Sequence, residues 1–310
     1  MIVGMVGLGR MGGSMALRLL RGGHQPVAYD VDAAAMARTL ERGALPASCL
    51  ADLVGQMDSP RIVWVMLPPG EVTEDTVGVL RQLLEPGDVV IDGGNSYWKD
   101  TMRRAKELAG DGIALLDAGT SGGTWGLQNG YCLMVGGDAQ AIAQAEPVFA
   151  ALATQGQYAH VGASGAGHFV KMVHNGIEYG LLAAYAEGFE IMHESPFDLD
   201  LLQVASIWCC GSVVRSWLLE LLVNSLERDP DLDQVAGYVD DSGMGRWTVE
   251  AAIDEGVPAY SIAAALFSRF ASRQDDSFAA KTIAALRNEF GGHPLRRPQE
   301  RAPRAGKPIP

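Results

Sequence analysis

Lys171, His174, Asn175 and Glu178 lie within eight residues of one another. In an α-helix, at about 100° per residue, the four fall in a stripe roughly 100° wide. Phe169, Val170, Met172, Val173, Ile177, Leu181 and Leu182 take the rest of the surface. A helix that is apolar on most sides is buried, so a polar stripe on it must face a partner or a cavity. An amine, an imidazole, an amide and a carboxyl sharing such a stripe form a catalytic row, with groups able to take up, hold and return protons. The competing reading is a solvated face with a Lys/Glu pair.

Proton chemistry at a row like this needs an acceptor or donor opposite it, and the N-terminus supplies one. Ile2–Val6 is a short apolar run, as expected of a buried parallel strand. It runs into Gly7-Leu8-Gly9-Arg10-Met11-Gly12, then a helical stretch, then a second apolar run, Gln25–Tyr29, ending at Asp30. This is a βαβ unit with GxGxxG in its first turn. The first glycine permits the tight turn, the second lets the backbone approach a pyrophosphate, and the third allows close helix–strand contact. The helix N-terminus offers unpaired N–H groups to the phosphates. Strand, motif, helix and terminal acid in sequence predict dinucleotide binding by Gly7 to Gly12 and Asp30. Asp30 would hydrogen-bond the adenosine ribose and repel a 2′-phosphate. Val31 and Asp32 follow it with no arginine alongside, so the cofactor expected is NAD rather than NADP. The other reading of Asp30 is a cap on the next helix, a role Asp32 could also take.

The strand–helix rhythm continues. Apolar runs at 61–67, 88–91, 113–117, 133–135 and 158–161 end in glycine-rich or small polar turns, and helical patterns separate most of them. The fold expected is α/β: an N-terminal Rossmann domain with a doubly wound parallel sheet, whose ligands bind at the carboxyl ends of the strands. Two of those ends place Asn95 and the run Ser121-Gly122-Gly123 beside the nicotinamide position; turn chemistry alone would also account for them. After Gly162 the alternation stops. Residues 165–194 hold no strong breaker and read as one helix about 45 Å long. Further helices are expected at 199–208, 213–226, 247–255, 262–272 and 277–290. The domains are therefore set at 1–163 (Rossmann), 164–293 (all-α) and 294–310, a Pro- and Arg-rich tail that would stay disordered or reach another subunit.

At 310 residues the chain is long enough for two domains, and 48% hydrophobic with 20% charged residues is ordinary for a globular protein. The net charge of −13 argues against a nucleic-acid binder. It leaves room for an anionic substrate in a locally basic site. Cys49, Cys132, Cys209 and Cys210 lack metal-ligand spacing, and no metal site is expected. No apolar run is long enough to span a bilayer, and the first residues reach glycine with no basic region or cleavage site. A cytoplasmic enzyme without a membrane partner is expected.

Taken together, these motifs resemble 6-phosphogluconate dehydrogenase, the decarboxylating enzyme, in its short bacterial form within the β-hydroxyacid dehydrogenase superfamily. The resemblance covers about residues 1–293. It rests on the 7–12 glycine turn, Ile91-Asp92-Gly93-Gly94-Asn95-Ser96, Ser121-Gly122-Gly123, the run from Gly167 through Lys171-Met172-Val173-His174-Asn175-Gly176-Ile177-Glu178 to Tyr179, and Arg287-Asn288-Glu289-Phe290-Gly291-Gly292-His293. The superfamily at large shares the glycine–lysine–asparagine spacing but not the added His-Asn-Gly-Ile-Glu-Tyr.

The resemblance implies these roles. Lys171 would be the base for the C3 hydroxyl, Glu178 the acid that protonates C1 of the enediol, and Asn175 the holder of the C3 oxygen. His174, Ser121, Gly122, Gly123 and Asn95 would position the substrate. Tyr179 and Arg269 would bind its phosphate, and Arg287 and His293 would come from a second subunit of a dimer or tetramer. The resemblance also implies a place in the pentose phosphate pathway or gluconate utilization. A lysine acts as base only if its pKa drops toward neutrality from about 10.4, as burial would cause. The β-keto acid so formed loses CO2 once its ketone is polarised, which Asn175 and the cationic Lys171 can do. The chain departs from long family members in the turn Asp241-Ser242-Gly243-Met244-Gly245-Arg246-Trp247, where they carry Lys and Thr; Ser242 and Arg246 are the candidate replacements. Two other functions fit parts of the pattern: a β-hydroxyacid dehydrogenase acting on a small unphosphorylated acid, and a dinucleotide-binding sensor without turnover.

Overall fold

Strand and helix alternate through the first half of the protein. The structure, a computed structural model, describes residues 1–153 and 156–296. The elements are β1 (Ile2–Val6), α1 (Arg10–Arg21), β2 (Gln25–Tyr29), α2 (Ala33–Leu40), β3 (Leu45–Pro46), α3 (Leu50–Gly55), β4 (Ile62–Val65), α4 (Glu71–Leu83), β5 (Val89–Asp92), α5 (Trp98–Ala109) and β6 (Ala114–Ser121). A 3-10 turn (Gly123–Trp125) and the one-turn α6 (Gly126–Asn129) lead to β7 (Cys132–Gly136), α7 (Ala139–Leu152) and β8 (Tyr158–Gly162). Then come α8 (Ala166–His193), α9 (Leu201–Gly211), α10 (Trp217–Leu226), α11 (Met244–Asp254), α12 (Tyr260–Ser272) and α13 (Phe278–Gly291). The chain divides into two compact units, Met1–Asn175 and Gly176–Pro310, so the division falls inside α8.

In the first unit eight strands form one sheet in the order β3-β2-β1-β4-β5-β6-β7-β8. The order reverses at β1, which lies between β2 and β4. That reversal opens the crevice at the carboxyl ends of the strands where doubly wound sheets bind ligands. The fully parallel sheet expected from the strand–helix rhythm is corrected at one pair: β6 and β7 run antiparallel. The cause is their connection. Only a 3-10 turn and one helical turn separate them, too little chain for a crossover, so β7 returns beside β6 as in a hairpin. The edge strand β3 went unforeseen because it is two residues long and includes Pro46, which only an edge tolerates.

Period-two alternation sorts the strand residues between two faces. Ile62 and Trp64 join the layer of Met15, Leu19, Phe149 and Leu152, while Val63 and Val65 join Leu53, Val77, Leu80 and Leu108. Each β4 residue is buried, so both faces carry helices, as a parallel sheet requires. At the strand starts, the buried carboxylate of Asp88 gathers β4 and β5. It accepts the Arg61 N–H at 2.6 Å, the Glu85 N–H at 2.9 Å and the Ser59 hydroxyl at 3.2 Å, and pairs with the Arg61 guanidinium at 3.0 Å.

The second unit is helical. Phe189 from α8 meets Trp208 of α9 edge to face at 5.8 Å and shares a cluster with Ala205, Leu219 and Leu226. Asp200, Ser216 and Ser277 cap α9, α10 and α13 by accepting N–H groups of their first turns. Tyr179, Ala265 and Leu266 form a second cluster. The expectation that α8 is buried on most sides needs correction. Val170, Ile177, Leu181 and Leu182 are exposed on this chain, Ile177 by 54%. The apolar residues between the polar positions do not follow one stripe, so the sheet and the other helices cover only part of them. The tail expected to be disordered lies, from residue 297 on, outside the described residues. Among the described residues no helix is long and apolar enough to cross a membrane.

Asp88 makes a pH-dependent prediction. Burial alone would raise its pKa, but the N–H groups of Arg61 and Glu85 and the Arg61 guanidinium outweigh burial and hold it below the usual range. A depressed native pKa stabilises the fold above the unfolded value of about 3.9, and the contribution fades as pH falls through the native value. Asp88→Asn should cost about 1–3 kcal/mol at neutral pH, with the gap from wild type closing in acid. Urea unfolding at several pH values measures both.

Candidate active site

The carboxyl ends of β1 and β2 build the first part of the site. Gly7 ends β1 at φ +88°, and a Cβ there would stand 2.4 Å from the Met66 carbonyl oxygen. A Cβ on Gly12 would stand 1.9 Å from the Gly7 carbonyl oxygen, so α1 leaves the strand at the closest possible approach. Gly9, by contrast, faces open space: its Cβ would meet nothing within 4 Å. The turn thus presents a cradle at its middle glycine. Gly9 caps α1 without a side-chain hydrogen bond, and no acidic residue occupies the first turn. The amide donors there remain available, with Arg10 as the first helical residue and Met11 packed against the core.

Asp30 closes the crevice. Its carboxylate accepts the Leu8 N–H at 2.5 Å and the Asp32 N–H at 2.8 Å. Asp32, not Asp30, caps α2 by accepting the Ala34 N–H at 2.8 Å. Asp30 therefore stands at the glycine turn as a ribose-binding acid would, with Val31 91% exposed beside it. The residues fit an NAD molecule: cradle, free amide donors and acid are all at one crevice.

The carboxyl ends of β5 and β6 build the second part. Asp92, fully buried, accepts the Gly94 N–H at 3.1 Å and the Ser96 hydroxyl at 2.7 Å, which shapes the loop that holds Asn95 exposed. At the end of β6, the Ser121 hydroxyl lies 3.3 Å from His174 Nε2. Gly122 and Gly123 follow Ser121 in the turn, at φ +127° and +52°. His174 Nδ1 lies 3.5 Å from Lys171 Nζ and 3.1 Å from Asn175 Oδ1. That nitrogen can accept from Lys171 or donate to Asn175, not both, so the imidazole tautomer and the lysine proton are linked. Lys171 is only 6% exposed. Ser121, Lys171, His174 and Asn175 are thus brought together within the first unit.

One anchor of this row was missed in the sequence reading. Asp117, fully buried, accepts the Gly165 N–H at 2.7 Å and the His168 N–H at 2.8 Å, and so caps α8. Nothing local announces an acid 48 residues before the amide it caps.

The second unit holds a separate cationic group. The Arg269 guanidinium lies over the Tyr179 ring at 3.4 Å from its centroid, and the Tyr179 hydroxyl accepts the Ser242 N–H at 3.4 Å. The buried Asp241 carboxylate takes both arms of Arg246, at 2.9 and 3.1 Å, and Arg273 at 3.0 Å. Arg246 holds the Asp241 pKa below the usual carboxylate range, against a smaller effect of burial. Two guanidiniums on the Asp241 carboxylate, with that of Arg269 donating to the neighbouring Asp240 carbonyl at 2.9 Å, leave a local excess of positive charge suited to an anion. Arg273 was not foreseen, although its i,i+4 spacing from Arg269 was a usable signal. Glu178 is half-buried on α8. Arg287 and His293 do not join the Arg269 group. Arg287 is exposed on α13, and His293 lies just beyond it, edge-on to Phe290. Among the described residues no cluster of three or more His, Cys, Asp or Glu could hold a metal ion.

Comparison with known proteins gives consistent matches over both units. Residues 2–162 match the NAD binding domain of 6-phosphogluconate dehydrogenase, and residues 167–301 match the 6-phosphogluconate dehydrogenase C-terminal domain. The chain is 44% identical over 299 residues to an NAD(+)-dependent, decarboxylating 6-phosphogluconate dehydrogenase of Haloferax volcanii, covering 96% of this chain and 99% of that one. The solved 6-phosphogluconate dehydrogenase of Plasmodium falciparum superposes with a TM-score of 0.82 at 26% identity, over 97% of this chain and 67% of that one. The 3-hydroxyisobutyrate dehydrogenase of Mycobacterium tuberculosis shares the fold, with a TM-score of 0.71 at 23% identity over 92% of this chain and 99% of that one.

The crevice geometry sets a cofactor prediction. Asp30→Ala removes the acceptor of the Leu8 and Asp32 N–H groups, and with it the carboxylate expected to meet the ribose. It should weaken NADH binding about 10- to 100-fold, as for loss of a hydrogen bond to a charged group. Fluorescence titration of the purified protein with NADH measures it.

Proposed function

The chain belongs to the 6-phosphogluconate dehydrogenase family, and from that premise we propose that it converts 6-phosphogluconate to ribulose 5-phosphate and CO2, with NAD preferred to NADP. The observation that carries the reading is the buried Lys171, hydrogen-bonded to His174, which in turn meets Ser121. Desolvation there favours the neutral amine, the form able to take a proton.

In this reading Lys171 accepts the proton of the C3 hydroxyl. The glycine turn and Asp30 would hold NAD, which would accept the hydride from C3 when bound. Asn175 holds the C3 oxygen, His174 helps position the substrate, and Asn175 and the newly cationic Lys171 polarise the ketone while the C1 carboxylate leaves as CO2. Glu178, seven residues further along α8, gives its proton to the enediol carbon. Asn95 and the Ser121-Gly122-Gly123 turn position the sugar acid. The NAD preference rests on the carboxylate of Asp30 and on the absence of an arginine next to it. The cationic group of Arg269, Arg246 and Arg273 is the phosphate handle, which a small unphosphorylated hydroxy acid would not need. A homo-oligomer, dimer or tetramer, completes the site with Arg287 and His293 of a second copy. Support for that comes from α13, which buries no residue on this chain and leaves Phe278 and Phe290 largely exposed. Because a charged sugar phosphate does not cross a bilayer unaided, this reading assigns the reaction to the cytoplasm, in the pentose phosphate pathway or gluconate utilization.

The test is the growth of the reduced-nicotinamide absorbance with purified protein, 6-phosphogluconate, and NAD or NADP in parallel. NAD should be reduced well ahead of NADP. Lys171→Ala should lower kcat about 10²- to 10⁴-fold, the usual worth of a general base. Faster reduction with NADP would remove the Asp30 argument alone. Turnover of small hydroxy acids but not 6-phosphogluconate would favour the unphosphorylated reading, and NADH binding without turnover a sensor.

Arg269→Ala gives a second expectation: KM for 6-phosphogluconate up about 10- to 100-fold with kcat much less changed, as for loss of a charged hydrogen bond used in binding. Steady-state kinetics against the unphosphorylated gluconate as control reads it.

A further inference from the structure

We propose that Asp117 is the positioning residue for Lys171: it fixes both where the amine sits and how strongly it holds its proton. The inference rests on the reading of Lys171 as the base. Four observations carry it.

Asp117 is fully buried near the middle of β6, and its two carboxylate oxygens accept the N–H groups of Gly165 and His168. These are donors of the first turn of α8 that have no partner within the helix. No local side chain can replace it there. Gly165 has none, and the Ser164 hydroxyl donates to the Leu115 carbonyl at 3.4 Å. The helix is also locked to the sheet by backbone contact. A Cβ on Gly119 would stand 2.5 Å from the Lys171 Cβ, and one on Gly167 would stand 2.5 Å from the Asp117 carbonyl oxygen. The Lys171 stem therefore lies directly on β6, two residues from Asp117.

The charge matters as well as the geometry. Asp117 brings a full carboxylate to the start of α8. Its charge is met by helix amides. Lys171 follows His168 by one turn, near the positive end of α8, where an ammonium is disfavoured. The Asp117 carboxylate opposes that field. It keeps the lysine able to hold the proton it takes, and a buried charge is screened little. In chemical terms Asp117 touches no substrate. It acts through the α8 amides and the lysine.

The experiment uses the full-length protein. Asp117→Asn keeps the shape, loses the charge and turns an amide donor toward one of the two N–H groups. The expected result has three parts. kcat for 6-phosphogluconate falls about 10- to 100-fold; NADH affinity stays within about twofold; and the acid limb of the kcat/KM profile moves to lower pH by about half a unit or more. Gly119→Ala serves as the mechanical comparison, because it displaces α8 but keeps the charge. It should lower kcat without moving the limb. A uniform loss in Asp117→Asn with the limb unmoved would make Asp117 merely structural and overturn the proposal, as would unchanged kinetics. Should Asp117→Asn fail to fold, hydrogen exchange on the wild type decides the anchoring: the Gly165 and His168 amides should exchange with the slowest core, and rapid exchange overturns it. Retained activity in Lys171→Ala would instead remove the base assignment, a separate failure.

Discussion

The constraint on which the Lys171 row depends is the seating of the first turn of α8 on β6. Gly119 and Gly167 let two backbones meet where any side chain would hold them apart. Asp117 then ties the helix start to the strand through two amide bonds. The grouping of Ser121, Lys171, His174 and Asn175 hangs on this joint. Lys171 is buried because its stem lies on the sheet. His174, one turn on, reaches Ser121 at the strand end because the helix cannot slide. Helix and strand are both rigid elements, so an error at the joint would move the whole row together.

A second device of the same kind serves the cofactor. At Gly12 the helix α1 leaves β1 as closely as backbone atoms allow, while Gly9 leaves a space in the turn. Close approach at one glycine and an opening at another produce a cradle lined by amide donors. Asp30 is bound to that cradle by the Leu8 N–H, so the acid and the glycine turn are set relative to each other before any ligand arrives. Such preorganisation lowers the ordering cost of binding.

The helical unit solves a different problem, how to concentrate positive charge on a chain of net charge −13. Asp241 does it by holding two guanidiniums, and the Tyr179 ring does it by stacking a third. Planar guanidinium forks suit both tasks, which lysines would do less well. Phe270 lies against both Arg246 and Arg273, at 4.4 and 5.4 Å, and limits their freedom. The local field can then be basic although the protein is acidic.

The strand–helix rhythm, the glycine turn with Asp30 beside it, the helical second half and the grouping of Lys171, His174 and Asn175 were legible in the sequence. They are local: each is a run of residues whose spacing matches one element's period, or a turn whose backbone demands glycine. The antiparallel return of β7 was not legible, since strand direction depends on how far the 122–131 connection travels. Nor was the exposed flank of α8, because burial of a helix depends on what packs against it. Asp117 and Arg273 stayed hidden for the same reason. Asp117 meets its amides across 48 residues of chain, and Arg273 meets Asp241 across 32. A period of 2.0 or 3.6 residues shows which side a residue takes on its own element. Only the folded chain decides which element stands on that side, because such contacts are bought with loop closure over tens of residues and leave no mark on either segment alone.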